Sequence, residues 1–140
     1  MKFLLDTNVL SEVRRPFPDK HVLAWLDALD EDRAFISVVS IAEIRRGIVL
    51  MEDGRRRDTL SHWLADELPL RFEGRIVPIN SSVALDWGDM MGMAKRLGRG
   101  LSSMDGLIAA TASSGGLTLA TRNIKDFEGF GVELFDPWTG

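Results

Sequence analysis

The chain contains no cysteine and only two histidines, His21 and His62. The first absence removes disulfides, thiolate metal sites and a cysteine nucleophile from consideration. Neither histidine follows a predicted strand or sits in a partner pattern, so both read as surface or packing residues and a Ser-His triad has no support. No long apolar run is present. The N-terminal run Phe3-Leu4-Leu5 is cut by Asp6, too early for a signal-peptide core, and nothing approaches the ~20 apolar residues of a membrane span. Basic residues are not in excess: Lys and Arg number 17 against 21 Asp and Glu, for a formal charge of −4. No global positive field therefore marks the chain as a nucleic-acid binder. Repeats, low-complexity tracts and linkers are also missing. The expectation is a single domain over residues 1–140, cytoplasmic and not associated with a membrane, with 45% hydrophobic residues available for one substantial core.

What is present is an alternation of short apolar runs with helical periodicity. Residues 2–5 read as a buried first strand, followed by a short helix over 8–15 that Pro16 and Pro18 stop. Asp19 caps a second helix with Val22, Trp25, Leu26 and Leu29 on one face. Residues 34–39 are apolar and β-branched, hence a second strand, after which Ser40 opens a helix carrying Ile41, Ile44, Ile48 and Met51. An amphipathic helix over 58–68 precedes Pro69. A third strand spans 75–79. Asn80 or Ser81 opens a longer helix, and Ser102 or Ser103 opens another that ends at Gly115-Gly116. Residues 117–120 give a fourth strand, 123–127 a turn or short helix, and 132–135 a fifth strand. This alternation implies an α/β fold with three α/β/α layers around a central, mostly parallel five-stranded sheet. Right-handed crossovers place the turns that follow the strands on one edge.

That edge collects acids. Asp6 follows strand one, Glu43 lies in the first turn after strand two, Asp105 opens the helix before strand four, and Asp126 follows strand four with Asn123 three residues earlier. Each has a bland alternative. Asp6 can cap the first helix through the amide of Asn8 or Val9, and Ser40-Ile41-Ala42-Glu43 matches a capping box. Together, however, several carboxylates in a small volume repel and raise one another's pKa unless a cation lies among them. Carboxylate oxygens without His or Cys suit Mg²⁺ or Mn²⁺. Gly106 and Gly47 either leave room at such a site or serve helix packing.

These segments resemble the motifs of PIN-domain nucleases, and among them the VapC and FitB-like toxins of type II toxin–antitoxin pairs. The resemblance runs through Leu4-Leu5-Asp6-Thr7-Asn8-Val9-Leu10-Ser11-Glu12, then residues 37–47 around Glu43, then residues 105–112 from Asp105. It continues through Leu119-Ala120-Thr121-Arg122-Asn123-Ile124-Lys125-Asp126-Phe127 and ends at Phe135-Asp136-Pro137-Trp138. It implies a Mg²⁺- or Mn²⁺-dependent ribonuclease. Asp6, Glu43 and Asp105 map onto the family's metal-binding acids. Where FitB-like members carry an acid after Thr-Arg this chain has Asn123, so the fourth acidic position falls to Asn123 or to Asp126, one helical turn away. Thr7, Asn8, Ser40 and Thr121 are candidates to hold the metal's waters or the scissile phosphate, with ordinary capping as the alternative. The resemblance also implies a homodimer and a toxin–antitoxin hetero-oligomer. In it the cognate antitoxin covers helices near the N-terminus, and operator DNA is held only through that antitoxin.

The excess of four acids over bases equals the four carboxylates of these motifs, so neutralising them leaves the remainder balanced. Arg122, beside the fourth motif, is the leading substrate contact. Arg45, Arg46, Arg55, Arg56, Arg57, Lys95, Arg96 and Arg99 are further phosphate candidates or, alternatively, solvated helix faces. Two other functions compete. One is a phosphatase of the haloacid-dehalogenase type, which starts from a strand-end Asp but needs a second Asp two residues on, where Asn8 stands. The other is a catalytically weak PIN partner that acts with its antitoxin at operator DNA.

Overall fold

The computed structural model describes residues 1–140. Five strands form one sheet: β1 (Phe3–Leu5), β2 (Ala34–Ser37), β3 (Ile76–Val77), β4 (Thr118–Ala120) and β5 (Leu134–Phe135). Their order is β3-β2-β1-β4-β5 and every pair is parallel, with Phe3 in register with Ala34 on one side and Thr118 on the other. The sheet is thus wholly parallel, and the carboxyl ends of all five strands lie along one edge. β1 is central and flanked on both sides, which explains why Phe3, Leu4 and Leu5 are all buried.

Eight α-helices cover the two faces: α1 (Thr7–Glu12), α2 (Lys20–Ala28), α3 (Val38–Val49), α4 (Arg55–His62), α5 (Leu68–Arg71), α6 (Ser81–Arg96), α7 (Ser103–Gly115) and α8 (Ile124–Phe127). Side chains alternate across the strands, so two cores form. Phe3, Leu5, Ala34, Ile36 and Ala120 point to one side and pack with Val9, Leu10, Val22, Ile48, Trp63 and Phe72. Leu4 and Leu119 point to the other and pack with Val83, Met90, Ile108 and Phe127. Trp25 takes the apolar helix position expected of it and packs with Trp63 in the first core, meeting Phe3 edge-on at 5.0 Å.

Most differences from the expected elements lie at their ends, and one of them changes the site. The helix expected to open at Ser40 begins two residues earlier. Ser37 accepts from the Val39 amide at 3.0 Å, and α3 begins at Val38, where the strand propensity of Val38-Val39 yields to that cap. The Ser40–Glu43 capping box therefore does not form, and Glu43 falls in the second turn of α3. The helix over 58–68 is longer than expected. α4 passes through a π-helical turn at Trp63–Glu67 into α5, with Pro69 at the start of the latter. The wider turn relieves the clash that a proline ring makes with the carbonyl four residues before it.

Candidate active site

Asp6 ends β1 and caps α1, so the two readings of this residue hold together. Its Oδ1 accepts from the Thr7 amide at 2.7 Å, in place of the expected Asn8 or Val9 amide, and its Oδ2 accepts from the Thr121 hydroxyl at 2.7 Å. The residue is 4% exposed. Burial pushes its carboxyl up to about 6, against the lowering effect of those two hydrogen bonds; the charges of Asp105 and Glu43 push in the same direction as burial. Thr121 is fully buried at the end of β4, and its oxygen also accepts from the Asn123 amide at 3.0 Å and from Asn8 Nδ2 at 3.4 Å. Asn8 Oδ1 in turn accepts from the Arg122 amide at 3.4 Å. The loops after β1 and β4 are thereby stitched together, and Asn8 and Thr121 are committed to that seam.

Thr7 reaches the neighbouring strand end. Its Oγ1 lies 2.6 Å from Glu43 Oε1 and 2.9 Å from Ser40 Oγ. A threonine hydroxyl has one proton, and the carboxylate can only accept, so Thr7 donates to Glu43 and accepts from the Ser40 hydroxyl. Ser40 is fully buried and so supports Thr7 from behind.

Asp105 arrives from a helix that runs antiparallel to the strands, which puts the N-terminus of α7 at the same edge. Ser102 caps that helix by accepting from the Asp105 amide at 3.1 Å. Burial raises the Asp105 carboxyl above its ordinary value, hydrogen bonding with Ser102 opposes this, and the Asp126 charge adds to the rise. Asp105 and Asp126 line one polar cleft of about 320 Å³ together with Arg99, Leu101 and Lys125. Asn123 makes no side-chain cap bond to α8.

None of Asp6, Glu43, Asp105 and Asp126 has a basic side chain within ion-pair distance; the four ion pairs of the molecule lie elsewhere. No three carboxylates come close enough to enclose an ion by themselves. The set nevertheless fits Mg²⁺ or Mn²⁺. Such ions keep several waters and take one or two carboxylates directly, and all the donors here are hard oxygens with uncompensated charge. Asp6, Glu43 and Asp105 are the acids that would hold one, with water completing the shell.

The other candidates sort clearly. The Arg122 guanidinium lies over the Trp138 ring, 5.3 Å from its centre, beside the Thr121 seam. Arg57 pairs with Asp53 and Arg56 donates to the Arg14 carbonyl at 2.8 Å, whereas Arg45, Arg46, Arg55, Lys95 and Arg96 are exposed and in no ion pair. Gly106 is a packing glycine: a Cβ there would meet Met91 Sδ at 2.6 Å and Trp87 Nε1 at 3.1 Å, whereas Gly47 faces open space. His21 is exposed and His62 pairs with Asp66 on the surface. Sequence reasoning missed Glu12. It is 4% exposed, pairs with Arg15 and accepts from the Asp19 amide at 2.8 Å, fixing the turn into α2. An acid in the last turn of a helix, where the dipole disfavours it, was the available signal.

The PIN domain family model matches residues 3–131. The chain belongs to the PIN-domain family. Among curated relatives, this PIN domain is 39% identical over 135 residues to toxin FitB of Neisseria gonorrhoeae, covering 96% of this chain and 97% of that protein. It is 37% identical over 135 residues to VapC ribonuclease Y4jK of Sinorhizobium fredii, covering 96% of each. Among solved structures it superposes on FitAB bound to an IR36 DNA fragment with a TM-score of 0.90, at 38% identity, over 97% of this chain and 95% of that one. The shared fold is the one expected from the alternating pattern.

Proposed function

We propose that this PIN domain is a ribonuclease that hydrolyses RNA phosphodiester bonds with Mg²⁺ or Mn²⁺, and that it is the toxin of a toxin–antitoxin pair. One observation carries the reading: four carboxylates gather at the carboxyl edge of the sheet without a cationic partner, and the most buried, Asp6, is pushed up to about 6. A site that holds unpaired negative charge out of water is arranged for a cation. The ribonuclease and toxin names of the relatives give the substrate class.

Asp6, Glu43 and Asp105 would hold the ion, and Asp126 would take the fourth acidic position, because it shares the cleft with Asp105 and its charge raises the Asp105 carboxyl. A bound divalent ion supplies charge neutralisation at the phosphate and activation of water. Thr7 aims the Glu43 carboxylate, with Ser40 behind it; Thr121 aims Asp6; Asn8 holds the two loops in place. Arg122, whose guanidinium lies over the Trp138 ring, meets the phosphate backbone. Hydrolysis adds water to phosphorus and breaks one P–O bond, and the proton that the water gives up ends on the departing oxygen.

The antitoxin seat is a groove of about 520 Å³ between α1, α2 and the Trp63–Phe72 stretch, lined by apolar residues such as Leu10, Leu26 and Phe72 together with charged ones such as Arg14, Asp27 and Arg71. Val9 and Leu10 are buried at its floor, Val13 is half-buried, and Leu50 is exposed outside it. DNA is held through that partner, in keeping with the acidic balance of this chain. No helix is long and apolar enough to cross a membrane. The phosphatase alternative is disfavoured because the Asn8 side chain is spent on Thr121 and Arg122. Asp126 at the fourth corner favours an active nuclease over a catalytically weak partner.

The test is cleavage of RNA by the purified, antitoxin-free protein with Mn²⁺ or Mg²⁺. Cleavage that disappears with chelator and with Asp6→Asn is expected. Activity that survives either treatment contradicts the metal-dependent mechanism, and phosphate release from a small phosphoester with RNA intact points to the phosphatase.

A further inference from the structure

The segment that carries Asp126 has little to hold it by itself. α8 is one turn long, its leading residue Asn123 makes no side-chain cap bond, and Gly129 and Gly131 follow with positive φ. Two buried rings, Phe127 and Phe130, pin it to the core, and one side chain from another part of the chain ties down its backbone. That side chain is Arg99, in the connection between α6 and α7. Its Nη2 donates to the carbonyls of Lys125 at 3.1 Å and Asp126 at 3.3 Å, and its Nη1 donates to the carbonyl of Glu128. The guanidinium lies over the Phe130 ring, 4.3 Å from its centre. Gly129 adopts φ +86°, and a Cβ there would come to 3.1 Å from Arg99 Nη1, so the fork and the glycine fit each other.

The other end of Arg99 is equally fixed. Its amide donates to the Ala94 carbonyl at 2.8 Å and closes the C-terminus of α6. Three residues further on, Ser102 caps α7 and takes the Asp105 amide. Arg99 therefore links the segment that presents Asp105 to the segment that presents Asp126, and all three line the same cleft. Although it stands between carboxylates, it forms no ion pair with either. Its donors are spent on carbonyls, a role that needs the planar fork and that lysine's single ammonium does not reproduce.

We propose that Arg99 is a positioning residue that sets the spacing of Asp105 and Asp126 across the cleft, and is not a contact to the RNA phosphate. The inference rests on the metal-nuclease reading above. It departs from the expectation that Arg99, as one of a run of bases, meets the substrate.

The test compares the full chain with Arg99→Lys, Gly129→Ala and Asp126→Asn by calorimetric Mn²⁺ titration and by RNA binding in chelator. Arg99→Lys weakens Mn²⁺ binding about tenfold, the usual effect of removing a group that orients ligands, and leaves RNA binding in chelator unchanged. Gly129→Ala disturbs the same contact from the opposite side and weakens Mn²⁺ binding with the guanidinium charge still in place; it carries the test if Arg99→Lys does not fold. In an Asp126→Asn background Arg99→Lys adds little, because the two act as one unit. Wild-type Mn²⁺ affinity in both Arg99→Lys and Gly129→Ala overturns the positioning role, even if both unfold at lower temperature. Weakened RNA binding in chelator with Mn²⁺ affinity intact overturns it in favour of a phosphate contact. A wild-type chain that binds no Mn²⁺ sinks the metal-nuclease reading itself and this role with it.

Discussion

Asp6 and Asp126 stand at the same edge of one sheet, and the chain builds their surroundings by opposite means. Asp6 is 4% exposed, and each of its oxygens accepts a hydrogen bond from a neighbour that is itself fixed: the Thr7 amide and the Thr121 hydroxyl. Asp126 is exposed, its carboxylate makes no side-chain hydrogen bond or ion pair, and its backbone is held from behind by Arg99. The buried corner obtains precision from hydroxyls and amides at strand ends, at the expense of a carboxyl displaced toward neutrality. The open corner keeps its acid in solvent and depends on a remote clamp. A buried, preorganised acid defines a site, and an exposed one adjusts it.

Replacing the acid itself separates the corners most sharply. Asp6→Asn is expected to remove RNA cleavage to background while raising the thermal stability of the metal-free protein at pH 7, because it deletes a buried charge held at an unfavourable pKa. Loss of activity accompanied by unfolding would mean that Asp6 is chiefly a structural cap. Thr121→Val is expected next. It removes the hydroxyl that steadies the Asp6 carboxylate and receives the Asn8 amide and the Asn123 N–H, at a cost of about 1–3 kcal/mol in denaturant unfolding. With that lowering interaction gone, the acid limb of the cleavage pH profile moves to higher pH. An unshifted limb would detach Thr121 from Asp6.

At the open corner the effects are smaller. Asp126→Asn is expected to weaken Mn²⁺ binding by roughly tenfold, with little change in stability, as for an exposed residue without partners. Asn123→Ala should be nearly silent by the same titration. The reverse ranking would assign the fourth position to Asn123. The smallest signal is a pH dependence of stability. Folded Asp6 stays protonated up to about 6 whereas the unfolded value is 3.8, so its contribution is complete below the latter and is lost as pH rises through the former. Mg²⁺, which needs the ionised form, should therefore raise the melting temperature more at pH 7 than at pH 5. Equal shifts would place the ion away from Asp6.

The sequence was most legible where local pattern and global fold agree. β1 could be read because three apolar residues stop at an acid, and α2 because Asp19 caps it as its side chain requires. The acids at the edge followed from strand–helix alternation alone, since any parallel sheet brings those turns together. What escaped depended on competition between local options. Ser37 and Ser40 are both plausible caps, and only the pairing of β2 with β1 and β3 decides for Ser37. That choice turns Ser40 inward to Thr7. Arg99 escaped because a base in a charged run looks like a solvated one until the carbonyls it meets are placed by the tertiary fold. Glu12 was hidden in the same way, as its partners Arg15 and the Asp19 amide become visible only when the chain turns into α2.

The central claim, that Asp6 is a buried carboxyl waiting for a cation, is tested most directly by following its carboxyl carbon through a pH titration by NMR, with and without Mg²⁺. The account predicts a midpoint of about 6 in the metal-free protein, falling well below the ordinary carboxylate value once Mg²⁺ is added. A midpoint that Mg²⁺ leaves unmoved would contradict it.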